Sequence, residues 1–332
     1  MFKRRTVLGL AAAASMAMVF AGPASAQSDS GSKSDGSSGG KGLMTIIVND
    51  PSNPYWKTEG DVAAQAAKDL GYSVNVGAHK GDTNTESRLI DTAITNNSKA
   101  IILDPANADG SVGAVKKAVQ ANIPVILVNA EINQEGIAKA QLVSNNAQGA
   151  ALGAQQWVQM AGDKGNFVEL TGAPSDNNAA TRSNGYNTVL SQYPDLKKVG
   201  SQVANWDRTQ GHDKMQGMLQ ANPNIMGVIS GNDEMALGAI AALKEANKLK
   251  GVTVGGFDGS PAAIDALKSG ELAYTVLQPV AVFSKKAVQE ADSLIRTGKT
   301  GADTEKQLFN CILVTQDMAD QFVAPFTLKS MQ

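Results

Sequence analysis

A single cysteine, Cys311, in 332 residues rules out a disulfide framework within the chain. It falls in the apolar stretch 308–314 and reads as a buried small hydrophobe. Histidine is nearly as scarce. His79 and His212 stand apart from each other and from the cysteine, so no zinc-type ligand spacing exists. No G-x-S-x-G elbow, P-loop or G-x-G-x-x-G follows a strand, which removes the usual nucleophile and nucleotide signatures. There is no basic cluster to hold phosphates, so nucleic acid is not an expected partner. Neither a cofactor nor a metal is expected.

The N-terminus carries the first positive signal. Lys3, Arg4 and Arg5 precede an uncharged apolar run, 7–20, and Ala24-Ser25-Ala26 offers small residues for cleavage after Ala26. The run is short of the roughly 20 residues that span a bilayer. Residues 1–26 therefore read as a signal peptide, with Sec and twin-arginine export both open. Residues 27–42 contain no apolar side chain and read as a flexible linker. No cysteine stands near the cleavage position to take a lipid, so the expectation is a soluble periplasmic protein. Losing three basic residues leaves 26 basic against 31 acidic, a net charge of −5.

From residue 43 onward, short β-rich runs alternate with amphipathic helical stretches. Strands are expected at 43–48, 72–76, 100–103, 125–128, 167–170, 199–203, 225–229, 252–255 and 274–277, with helices between them and a long one near 282–297. Several of these strands are unbroken apolar runs, as in parallel sheets buried on both faces. The pattern predicts a doubly wound α/β fold in two Rossmann-like lobes. An internal echo supports two equivalent halves. Asp104 and Asn129 follow strands 25 residues apart, and Asn232 and Asp258 do the same 26 apart. Ligands of open α/β sheets collect at the carboxyl ends of strands, so these residues form two halves of one polar clamp.

Tyr55 and Trp56, with Asn49 and Asn53, cluster just after the first strand, and Trp206 sits in NWDRTQG. Indole faces cover the C–H patches of sugars and polyols, although each aromatic also fits simple packing. Trp157 sits at helical spacing and reads as core. Arg182 is either an exposed helical arginine or a five-donor fork for adjacent hydroxyls. Asp104 and Asp258 suit hydroxyl acceptors better than a glycosidase acid–base pair.

The motifs SNPYW, ANIPVI, GNDEMALGAIAAL and GGFDGSP resemble the ribose-binding protein group of type I periplasmic binding proteins, the soluble receptors of ABC importers. The resemblance implies lobes joined by a three-segment hinge near 143–146, 278–280 and 309–313. It divides the chain into an N-terminal lobe (43–143 with 280–310) and a C-terminal lobe (144–279 with 311–332). Carried over by position, the implied contacts are Asn53, Tyr55, Trp56, Arg182, Trp206, Asn232, Asp258 and Gln278. Asn49, Asp104 and Asn129 occupy contact positions where ribose binders usually have serine, asparagine and aspartate, and Ala130 replaces a second arginine. Arg182 against Asp104 and Asp258 leaves the pocket near −1, which suits a guest rich in hydroxyl donors. The expectation is a non-enzymatic monomer. It captures a small neutral sugar or sugar alcohol, tetritol or pentitol ahead of ribose, and delivers it to a membrane permease. A chemoreceptor is admissible as a further partner. The competing readings are a sugar-processing enzyme and a transcriptional regulator; the signal peptide stands where the regulator's DNA-binding helices would be.

Overall fold

Apolar runs and amphipathic segments fold as their periods dictate in the computed structural model, which describes residues 40–331. The signal-peptide reading and most of the linker lie outside the described residues. In chain order the elements are β1 (Leu43–Val48), α1 (Pro54–Asp69), β2 (Ser73–Ala78), α2 (Thr83–Thr95), β3 (Ala100–Leu103), α3 (Val112–Gln120), β4 (Val125–Val128), β5 (Ala140–Ser144) and α4 (Asn146–Ala161). Then come β6 (Gly165–Thr171), α5 (Asn177–Leu190), β7 (Leu196–Val203), α6 (Arg208–Ala221), β8 (Gly227–Ser230), α7 (Asp233–Glu245), β9 (Thr253–Gly255) and α8 (Pro261–Lys268). The chain ends with β10 (Thr275–Leu277), α9 (Val280–Thr297), β11 (Lys306–Phe309), β12 (Ile312–Val314) and a small hairpin of β13 (Phe322–Val323) and β14 (Thr327–Leu328).

Two parallel sheets result. The first runs β11-β5-β4-β3-β1-β2 and the second β7-β6-β8-β9. Bridges Gly255–Tyr274 and Asp258–Leu277 add β10 beside β9, and β12 pairs antiparallel with β10. The central strands β3, β4, β5 and β8 are buried along their whole length, because helices cover both faces. The outermost strands β2 and β7 are mostly part-exposed. The chain passes from the first sheet to the second between β5 and α4, returns between β10 and α9, and crosses again between β11 and β12. The sequence reading placed crossings at these points but missed β5, β11 and β12 as strands. Each has at most five residues, too few to print a period.

The final stretch joins both sheets' territories. Residues 316–321 form a 3₁₀ turn packed on α8, while Phe326 is buried with its ring edge-on to Tyr55 of α1, centroids 5.8 Å apart. Cys311 is buried, and burial pushes its thiol up to about 12, so it is an inert packing group.

Trp157 of α4 is fully buried, its ring 5.3 Å from that of Phe167, and its Nε1 donates to the Thr253 carbonyl at 3.2 Å. A Cβ on Gly227 would come within 2.2 Å of the indole, so that position has to stay bare. Trp157→Ala is therefore expected to cost about 3–5 kcal/mol, read from the chemical-denaturation midpoint. A loss below about 1 kcal/mol would show that the site collapses freely.

Candidate functional site

Strand ends deliver the site, and capping chemistry orients it. Asn53 caps α1, its Oδ1 accepting from Tyr55 N at 2.9 Å, so the helix starts with Tyr55 and Trp56 facing the seam between the sheets. Asn232 caps α7 in the same way, accepting from Met235 N at 2.9 Å, while its Nδ2 donates to the Trp206 carbonyl at 3.2 Å. Asn129 follows β4 at φ 62°, Trp206 follows β7 at φ 65° and Asp258 follows β9 at φ 129°. Asparagine tolerates φ near 60°, but a tryptophan there and an aspartate at 129° are strained. Such strain concentrates at sites whose surroundings over-determine the conformation.

These residues surround one cavity, lined by Asn53, Tyr55, Trp56, Asn129, Asp176, Asn178, Arg182, Trp206, Asn232, Asp258 and Gln278. Nine of the eleven positions anticipated from sequence meet here. Asn49 and Asp104 do not line it. They border a neighbouring, larger chamber with Lys80, Asp176 and Trp206. Asp104 stands directly behind Asn129, whose Nδ2 donates to Asp104 Oδ2 at 3.1 Å. His79 accepts from Gly81 N through Nδ1, so its Nε2 carries the proton and donates to the Asp104 carbonyl at 2.7 Å.

Arg182 is a buried residue, not an exposed helical arginine. Its Nε donates to Asn146 Oδ1 and its Nη1 to the Gly231 carbonyl, both at 2.8 Å, and Nη1 lies 3.4 Å from Asp258 Oδ1. The guanidinium stacks 3.9 Å from the Phe257 ring centroid and 5.2 Å from that of Trp206. From this core a hydrogen-bonded ring runs through both lobes. Gln278 Nε2 donates to Asp258 Oδ1 at 2.7 Å, and the Tyr55 hydroxyl is shared between Gln278 Oε1 and Asn129 Oδ1. Asn146 Nδ2 donates to Asn178 Oδ1 at 2.8 Å, and Asn178 Nδ2 closes the circuit on the Asn129 carbonyl at 3.1 Å. Ala108 N on Ser175 O and Asn177 Nδ2 on Asn133 Oδ1 bridge the same seam farther out.

The indole N–H groups of Trp56 and Trp206 are buried without a partner. Trp206 Nε1 stands near the Asp176 carboxylate but closes no hydrogen bond with it. Sequence reasoning missed Asp176 and Asn178. The segment SDNN before an amphipathic run was the available signal for both. The charge expected of the pocket was also incomplete, because it counted Asp104, which lies outside the cavity, and omitted Asp176, which lines it. Burial pushes Asp176 above its ordinary value. It raises Asp258 to about 7 against the pull of Arg182. Glu131 pairs with Lys306 at 2.6 Å and lies outside the cavity.

Comparison with known proteins adds a second line. The family model described as "Periplasmic binding protein domain" matches residues 44–300. The chain is 48% identical over 279 residues to the D-apiose import binding protein of Actinobacillus succinogenes, covering 84% of this chain and 89% of that one. It is 31% identical over 262 residues to the ribose import binding protein RbsB of Salmonella typhimurium, covering 79% and 88%. A solved ABC transporter periplasmic solute binding protein from A. succinogenes, with bound D-allose, superposes with a TM-score of 0.79 at 27% identity, covering 85% and 100%.

Two outcomes test the geometry. A Cβ on Gly172 would fall 2.0 Å from the Trp206 ring, so Gly172→Ala is expected to displace the indole, shift tryptophan emission and cost about 1–3 kcal/mol. In a Trp206→Ala background the same change is expected to cost little. Asp258 holds its proton more tightly folded than unfolded. Its contribution to stability is therefore complete below about pH 4 and lost as pH rises towards 7. Within that window unfolding free energy falls by up to about 1.4 kcal/mol per pH unit, and Asp258→Asn is expected to flatten the slope in thermal melts.

Proposed function

Because the chain belongs to the periplasmic binding protein domain family, we propose that it captures a small neutral sugar of pentose size, D-apiose first, and presents it to the membrane permease of an ABC importer. Its relatives are import binding proteins and not enzymes. The glycosidase reading also loses its geometry, since Asp104 and Asp258 do not face one cavity. The observation that carries the proposal is the cavity itself, where side chains at the strand ends of both sheets converge.

The chemistry suits a neutral polyhydroxylated guest. The cavity's one cation, Arg182, is already engaged by Asp258, and Asp176 stands beside it, so an anion would meet unpaired carboxylates. Trp56 and Trp206 provide flat apolar faces and two unpartnered N–H donors. Hydrogen bonds to charged groups contribute roughly 1.5–3 kcal/mol each, so a few exceed the ~8 kcal/mol of micromolar affinity. Because the guest touches both lobes only when they approach, binding favours the closed form, which a permease distinguishes by shape. The same reading has the leader cleaved after Ala26, a linker to residue 42 and a periplasmic monomer. Its lobes divide as 43–143 with 280–310 and 144–279 with 311–332. A chemoreceptor is a further partner consistent with this surface role. The acid-rich lining also favours sugar alcohols, which carry hydroxyls and no ring oxygen.

Calorimetry with D-apiose, ribose, xylitol, erythritol and threitol tests this. D-apiose is expected to bind at micromolar Kd or tighter, and Arg182→Ala or Asp258→Ala to raise that Kd at least about 100-fold with the fold retained. Unchanged affinity in both variants would remove the site; tighter binding of a tetritol or xylitol would replace the sugar by a polyol.

A further inference from the structure

Away from the cavity, the two lobes are joined a second time at the rim of the cleft. Asn177 opens α5, and its Nδ2 donates at 2.8 Å to Asn133 Oδ1, in the segment between β4 and β5. The Ala108 N–H, between β3 and α3, donates to the Ser175 carbonyl at 3.0 Å. Ala108 and Asn133 belong to the first sheet's lobe, Ser175 and Asn177 to the second's. Asn133 and Asn177 line neither the cavity nor the chamber beside it.

The first lobe holds its half of this contact in place with its own bonds. Asn133 N donates to the Ala108 carbonyl at 2.7 Å, and Asn133 Nδ2 donates to Asp109 Oδ1 at 2.8 Å. The Asn107 side chain pins the turn beneath, its Oδ1 accepting from Asp109 N at 2.9 Å and from Gly110 N at 2.7 Å. A carboxylate accepts and does not donate, so Asp109 takes the NH₂ end of Asn133 and leaves the amide oxygen to face Asn177. One face thus offers a fixed donor and a fixed acceptor, and the other offers the matching acceptor and donor.

These bonds form only when the lobes meet, and no guest atom takes part in them. Fixing the partners beforehand reduces the ordering cost of making them. A contact made in the closed form alone raises the population of that form, and a guest that binds there gains apparent affinity in proportion. Asn178, the next residue along α5, donates to the Asn129 carbonyl at 3.1 Å, so one turn of helix carries both the rim contact and part of the cavity wall.

We propose that Asn133 and Asn177 set the affinity of the site from outside it: their bond holds the lobes together at the rim and slows release of the guest that the cavity holds. They are positioning residues that never touch the guest. This rests on the sugar-binding reading of the cavity, so the test carries one readout that needs no ligand.

Spin labels on Asn84→Cys and Thr209→Cys, exposed in the first turns of α2 and α6 on opposite sides of the chamber, read the lobe separation without ligand. In that background Asn177→Ala is expected to move the distribution to longer distances, and alanine suits the start of a helix, so the fold is retained. With D-apiose as the probe, Asn177→Ala and Asn133→Ala are each expected to raise Kd about twofold to tenfold, the range of one neutral hydrogen bond. The change is expected in the dissociation rate with the association rate kept, and the double variant is expected to cost no more than Asn133→Ala alone. A second guest that binds, such as ribose, is expected to lose the same factor, because the bond is blind to the guest. Unchanged ligand-free distances, unchanged Kd in both single variants, or a factor that differs from guest to guest overturns the proposal. A wild-type protein that ignores D-apiose while the label distances shift as expected overturns the ligand reading and leaves the rim contact standing.

Discussion

Polar groups taken out of water at the seam between two sheets must find partners, and this requirement organises the molecule. An unpaired buried donor or acceptor costs about 1–3 kcal/mol, and a charge costs more. Arg182, Asp258, Gln278, Tyr55, Asn129, Asn178 and Asn146 meet the requirement by bonding one another in a circuit that draws on both lobes. No single lobe completes it. Separating the sheets would strand Asn178 from Asn129 and Tyr55 from Gln278, so closing the cleft and assembling the site are one physical event.

The backbone is shaped to serve that circuit. Gln278 and Asn146 sit at two of the points where the chain passes between sheets, which places ring members on the crossing segments themselves. The turn that presents Asp258 is tied down from below. Asp233, buried at the start of α7, accepts from Ser260 N and from the Thr275 hydroxyl, both at 2.7 Å. A Cβ on Gly256 would meet an Asp233 oxygen at 2.3 Å, so the glycine pair before Phe257 allows the loop to pass that carboxyl group. At the other end of the site, Phe326 packs on Tyr55 and brings the chain's last residues to the cavity wall.

Much of this is legible in the amino-acid sequence. Position at the end of an apolar strand is a coarse geometric statement that survives folding, so Asn129, Asn232 and Asp258 converge as their spacing suggested. Capping residues were harder. Asp176 accepts from Asn178 N at the start of α5, and a helix-capping aspartate looks the same in sequence whether or not a cavity lies beyond it. The burial of Glu59 is illegible for the opposite reason. In PYWKTEGD it sits among charged residues that read as a solvated helix face, and only the packing of α1 over the strand ends turns it inward. Asn49 and Asp104 occupy strand ends as expected, yet Asn129 stands between Asp104 and the cavity, a side-chain order that spacing cannot encode.

The circuit also constrains what can enter it. Within the circuit Asp258 already has Arg182 and Gln278, and Tyr55 already has Asn129 and Gln278. A guest gains only where it replaces those bonds with equivalents and adds partners that the protein lacks, such as the indole N–H groups of Trp56 and Trp206. A hydroxyl both donates and accepts, so it can be inserted between Arg182 and Asp258 without stranding either. A carboxylate only accepts and would leave Asp258 and Asp176 facing a like charge; an ammonium only donates and would displace Arg182 from its acceptor. A ring of alternating donors and acceptors thus selects for the functional group that can play both parts, and several such groups on one small frame are what a neutral sugar provides.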